Sequence, residues 1–135
     1  MITRSTAYKI YWAGRYLERI EDIARASLCA LHSNVPLDSL AKEFGLNSKE
    51  EIIEYIKKSF EMLREDIRGF ADESVIIQVN NLGFAIDSEH NDMEKYFSSI
   101  LTSVMALGSS LENYFVKRKV EVRISSQEEN EPEKD

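Results

Sequence analysis

Apolar and small residues recur at helical spacing from Ile10 onward. Ile10, Gly14, Leu17, Ala24, Leu28 and Leu31 share one face, with Ala13 and Ile20 beside them. This pattern predicts a long first helix that starts near Ser5, whose hydroxyl can cap it, and runs to about Ser33. Pro36 falls in the stop signal, and Pro36–Gly45 reads as a short helix with Asp38 as its cap and Gly45 past its end. Ser48 followed three residues later by Glu51 has the form of a capping box. Behind it Ile53, Ile56, Phe60, Leu63, Ile67 and Phe70 step at alternating intervals of three and four. Gly69 weakens that helix, and Asp72 is placed to cap the next.

The segment from Val75 to Ile86 reads in two ways. Its β-branched run and the Asn80–Asn81 pair fit a two-residue hairpin. At helical spacing Val75, Val79, Leu82 and Ile86 form a stripe instead. The body of the chain offers no other strand for a hairpin to pair with, so a helix is the better reading. Asn91 with Glu94 suggests another cap. Met93, Phe97, Ile100, Val104, Leu107, Leu111 and Tyr114 then alternate four and three along a last long helix. Lys117, Arg118 and Lys119 near its end compensate the negative helix terminus. Three long helices, one or two shorter ones and brief connections predict an all-α, up-and-down bundle of about four to five helices.

Length and composition narrow this further. The 135 residues are 43% hydrophobic and 30% charged, enough for one core with a wet exterior. Seventeen Lys+Arg against 24 Asp+Glu leave a net charge of −7, which disfavours nucleic acid as a partner. Residues 125–135, SSQEENEPEKD, contain no apolar side chain, so the bundle is expected over 1–124 with a disordered acidic tail after it. No apolar run approaches the ~20 residues of a membrane span, and charge interrupts the N-terminus before a signal-peptide core can form. A single cysteine, Cys29, fits a reducing compartment. The expectation is a cytoplasmic protein with no membrane partner.

The first helix carries the chemistry. Arg15, Glu18, Asp22 and Arg25 form a stripe at spacings of three, four and three, with Arg19 and Asp22 a further opposite-charge pair. A solvated face laced with weak ion pairs is the plain explanation. Glu21 departs from it, because on the wheel it falls about 20° from Ile10 and Leu28, inside the expected apolar arc. A carboxylate there must be paired, neutralised or open to a cavity, and Arg25 four residues on is the nearest partner. The set Arg15, Glu18, Arg19, Glu21, Asp22 and Arg25 is therefore the candidate functional cluster: a structural clamp, a ligand pocket or an interface. Trp12 and Tyr16, on the side away from the stripe with Ile23, are interface candidates or a second packing face.

The run from Tyr11 to Arg25, YWAGRYLERIEDIAR, resembles the signature of the alpha-E domain family, named for its Glu-Arg motif. The pattern YW-x-GRY-x-ER-x-E-x-x-AR is met by Tyr11, Trp12, Gly14, Arg15, Tyr16, Glu18, Arg19, Glu21, Ala24 and Arg25. A looser echo is Leu63–Arg64–Glu65 with Arg68, followed by Asn80 or Asn81. The resemblance implies an all-helical protein of the kind found beside ATP-grasp ligases, transglutaminase-like proteins and proteasome-related peptidases, with a role in peptide synthesis or modification. Longer members carry a second ER-type helix in their other half. None occurs in this chain, which looks like a half-length version, and two copies would supply both helices.

Other chemistry is thinly represented. Di-iron bundles use Glu-x-x-His pairs, which the sequence lacks, and His32 and His90 stand alone near helix ends, so no metal is expected. Cys29 reads as a small buried residue rather than a reactive thiol. No phosphate loop or nucleophile elbow occurs, and no cofactor is expected. The favoured expectation is a non-catalytic, homo-oligomeric scaffold that serves an ATP-grasp-type or peptidase partner through the first helix. The alternative is an enzyme subunit whose Arg/Glu cluster binds an anionic substrate, with Glu21 as acid or base.

Overall fold

Residues 2–130 are described by a computed structural model, with side chains described as far as Lys117. The elements are α1 (Arg4–His32), α2 (Leu37–Glu43), α3 (Lys49–Arg68), α4 (Glu73–Asp87) and α5 (Met93–Asn130). The expected all-α bundle is the observed one. The ambiguous segment from Val75 to Ile86 lies wholly within α4, and its helical stripe of Val75, Val79, Leu82 and Ile86 is buried. Helix α5 is described to Asn130, inside the 125–135 segment expected as a disordered tail, and 131–135 lie outside the described residues.

Helix α1 packs along α3 and α5, α5 along α4, and α3 closes the ring against α4. Among the described residues α1 and α4 do not touch, so they occupy opposite corners of a four-helix bundle, with α2 bridging α1 and α3. The core runs through the middle of this square. Ile20, Ile23, Ile52, Ile56, Leu63, Ile67, Leu82, Ile86, Phe97, Ile100 and Leu107 are all essentially without solvent contact.

Local chemistry sets the helix ends. Thr3, not Ser5, caps α1, its Oγ1 accepting from the Thr6 amide at 3.1 Å. Ser48 Oγ accepts from the Glu51 amide as expected, but the Glu51 carboxylate reaches back to the Asn47 amide at 2.6 Å rather than to Ser48. Asp38 does not cap α2, whose entry residue is Pro36. Its carboxylate takes the Lys49 amide at 2.7 Å and so ties α2 to the start of α3. Asp72 caps α4 through the Val75 amide. Asp92 rather than Asn91 caps α5, through the Lys95 amide at 3.1 Å. Glu94 instead meets His32 Nε2 at 2.8 Å, linking the end of α1 to the start of α5.

Two tyrosines close the connections. The Tyr96 hydroxyl donates to the Ile86 carbonyl at 2.7 Å, satisfying an end carbonyl of α4 inside the core. The Tyr114 hydroxyl donates to the Phe70 carbonyl in the α3–α4 turn. Nearby Ile2, Thr6, Ile10, Phe70 and Phe115 line a hollow of ≈ 220 Å³ at the foot of the bundle.

Candidate functional site

The buried arc of α1 is rotated from the one the apolar pattern suggests. Its fully covered residues are Ala13, Ile20, Ile23, Ala24, Ser27 and Ala30, while Leu17 and Leu28 are only partly covered and Gly14 is exposed. On the wheel the arc centres on Ile20, Ile23 and Ser27, with Ala13, Ala24 and Ala30 toward its sides, so the leucines fall at its margin or beyond. Ser27 is accommodated because its hydroxyl donates to the Ile23 carbonyl at 2.7 Å.

Glu21 lies about 80–100° around the wheel from Ala13 and Ile20, at the margin of the arc and not inside it. Its side chain keeps 38% exposure, and Oε2 stands 3.7 Å from Arg25 Nη2, with Arg25 at 57%. The expected Glu21–Arg25 partnership is present, but the carboxylate is not buried in apolar packing. A pair this exposed is worth at most ~1 kcal/mol. Cys29 was expected to be buried and is exposed, because it shares the outward face with Asp22.

The remaining charges do not pair as their spacing suggests. Among the described residues no carboxylate lies within ion-pair distance of Arg15 or Arg19. Both guanidinium groups sit on aromatic rings instead. Arg15 lies 5.9 Å from the Tyr11 ring centre, with a long 3.5 Å contact from Nη1 to the Tyr11 hydroxyl. Arg19 lies 5.1 Å from the Tyr16 ring and 5.9 Å from that of Trp12. Glu18 and Asp22 are exposed on the neighbouring outward face.

The rings themselves form a row. Trp12 meets Tyr8 at 6.2 Å, Tyr11 edge-on at 5.5 Å and Tyr16 at 5.7 Å between ring centres. Tyr8 is 63% and Tyr11 56% exposed, Trp12 and Tyr16 are half-buried, and Tyr16 also leans on the core. Trp12 and Tyr16 thus join Arg15 and Arg19 in one surface rather than standing apart from the charged stripe. Sequence reasoning missed Tyr8 and Tyr11 as members. The signal was present, since Tyr8, Tyr11 and Trp12 stand at i, i+3 and i+4, with Tyr16 one turn beyond Trp12.

This surface is rich in donors, since a guanidinium beside a ring keeps N–H groups that carboxylates bind in a forked geometry. Neither the hollow at the foot of the bundle nor a shallow groove of ≈ 530 Å³ between α4 and α5 includes any member of the charge cluster. Among the described residues no group of three or more His, Cys, Asp or Glu side chains could hold a metal ion. No described helix is long and apolar enough to cross a membrane.

The aromatic–arginine face of α1 thus lies apart from both of these hollows. The looser ER echo on α3 behaves like the first, with Arg64 5.7 Å from the Phe60 ring centre and Arg68 3.8 Å from Glu65. Comparison with known proteins adds one match. Residues 1–67, covering α1 to the end of α3, match the Alpha-E family model, described as a predicted alpha-helical domain with a conserved ER motif. No curated protein and no solved structure matches the chain.

Proposed function

We take as premise that the chain belongs to the Alpha-E family through residues 1–67, and we propose that it is a non-catalytic helical scaffold. In this reading its first helix docks a partner from a peptide-ligating or peptide-modifying system of the ATP-grasp or transglutaminase-like kind. The observation that carries it is the row of Tyr8, Tyr11, Trp12 and Tyr16 with Arg15 and Arg19 laid over the rings. Tyrosine, tryptophan and arginine are the residue types that dominate protein-interface energetics, and rings already in tilted and edge-on contact lose less freedom on binding.

The enzyme-subunit alternative needs the arginines to line a concave site around Glu21. Glu21 pairs with Arg25 outside the aromatic row, and neither the hollow at the foot of the bundle nor the α4–α5 groove includes Glu21 or either arginine. Within the proposal the ER residues have a division of labour. Arg15 and Arg19 bind, while Glu21 with Arg25 steadies the helix beyond them. A cytoplasmic location and an oligomeric state belong to the same proposal, the first resting on the lone cysteine, Cys29.

The test is affinity capture with the intact protein against an Arg15→Ala/Arg19→Ala variant, each checked for unchanged helicity. The expected result is a ligase, transglutaminase-like protein or peptidase that is retained by the wild type and lost by the variant. Equal capture by both proteins, or no such enzyme captured by either, overturns the reading.

A further inference from the structure

The corner of the bundle opposite α1 is also unfinished. On α4 the outward stripe is Ile77, Asn80, Asn81 and Phe84, with Ile77 51% and Phe84 75% exposed, the latter the most exposed large apolar side chain described. Phe84 stands at the rim of the ≈ 530 Å³ groove formed with the start of α5. The groove's charged residues are Glu89, Asp92 and Lys95, and Asp87 is exposed one turn from Phe84, so the corner is acidic on balance. An exposed phenylalanine beside an acidic groove is the complement of exposed tyrosines flanked by two guanidinium groups.

We propose that this α4–α5 corner of one copy receives the α1 aromatic–arginine face of a second copy, so that the protein associates head to tail. This rests on α1 being a docking face, and it names one occupant of that face. Phe84 enters between the tyrosine rings, which favour edge-on and offset ring contacts. Asp87, Glu89 and Asp92 meet the N–H groups of Arg15 and Arg19. One contact covers both exposed patches. Pairing like with like does not: α4 against α4 brings Glu73 and Asp87 onto acidic groups in either orientation, and α1 against α1 leaves the α4 corner uncovered.

Geometry then dictates the kind of assembly. Because α1 and α4 sit at opposite corners, a copy engaged through one face keeps the other free. The contact is heterologous and repeats, giving a ring or an open chain of copies rather than a closed pair.

Sedimentation of the full-length protein over a concentration series tests this, using Arg15→Glu/Arg19→Glu and Ile77→Ser/Phe84→Ser variants checked for helicity. Arg15, Ile77 and Phe84 are exposed and Arg19 is half-buried beside Tyr16, so the helicity check establishes that each variant keeps the fold. Wild-type mass is expected to grow with concentration past that of a dimer, and to fall back as salt rises. Each variant alone is expected to stay monomeric. An equimolar mixture of the two is expected to give a dimer that grows no further, because only one complementary pair of faces survives in it.

A wild type that stays monomeric throughout overturns the inference, as does a mixture that stays monomeric. An arginine variant that associates like the wild type also overturns it. Failure here is separable from failure of the scaffold reading. A monomeric protein whose enzyme capture still depends on Arg15 and Arg19 loses the head-to-tail contact alone. A protein that assembles as described but captures no enzyme loses the scaffold role alone.

Discussion

Individual side chains in this bundle are assigned their roles by what they can reach. Tyr96 is buried at 2% exposure because its hydroxyl reaches the Ile86 carbonyl, an end group of α4 that would otherwise lie unpaired. Tyr96→Phe is expected to lower unfolding stability by about 1–3 kcal/mol in urea titration, the cost of one unsatisfied buried carbonyl. An unchanged midpoint would mean that water replaces the hydroxyl. The same burial, reinforced by the nearby Asp87 carboxylate, pushes the phenol up to about 12. A folded-state value above the ordinary ~10 means stability is fully present below ~10 and is lost as pH rises from there toward about 12. Tyr96→Phe should remove that alkaline loss, which pH-dependent denaturation reads directly.

Asp72 titrates with the opposite sign. Hydrogen bonds from the Ser74 hydroxyl and the Val75 amide hold its carboxyl below the usual carboxylate range. Its contribution is present above that range and fades as pH falls through the lowered value. Asn retains the capping oxygen without the charge, so Asp72→Asn is expected to change little at neutral pH and to shallow the acid limb of the stability profile. An acid limb identical to wild type would contradict the assignment. The residue scale is also where sequence reading failed at Glu21. Wheel position puts it among Ile10 and Leu28, but those residues are themselves marginal, and the buried arc follows Ile20, Ile23 and Ser27.

The helices as units were largely legible. Five of them appear where periodicity and caps put them, and the segment around Asn80–Asn81 resolves as α4 because its stripe of Val75, Val79, Leu82 and Ile86 finds α5 to pack on. Ends were read less well, for a common reason. Several polar residues near a terminus compete for the same amides, and tertiary neighbours decide among them: Glu94 goes to His32 and leaves the cap to Asp92, and Asp38 goes to Lys49. Gly45 at the exit of α2 was read as a stop and has φ 74°, the left-handed region that suits glycine. Gly45→Ala is expected to destabilise by about 1–2 kcal/mol in the same titration, whereas a neutral outcome would mean the turn relaxes.

For the molecule as a whole, four helices around one core leave two opposite corners with more apolar surface than a lone bundle needs. One corner is basic and aromatic, the other acidic around Phe84. The charge stripe on α1 was visible in the sequence, and so was its resemblance to a family. The re-routing of Arg15 and Arg19 from carboxylates to rings was not, because i, i+3 spacing offers both partners equally and side-chain packing chooses. The α4 corner is not legible in the sequence because Ile77 and Phe84 lie outside the core stripe, and periodicity alone does not say which off-stripe apolar residues stay uncovered.

Trp12 is the chain's one tryptophan and lies in the middle of the α1 face, which makes that face observable without a label. Acrylamide quenching of its emission, measured alongside mass across a dilution series, is the most direct test of α1 as a docking surface. Quenching is expected to weaken in step with assembly and to recover on dilution or with Arg15→Glu/Arg19→Glu. Mass that grows while Trp12 stays equally accessible would show that copies meet elsewhere.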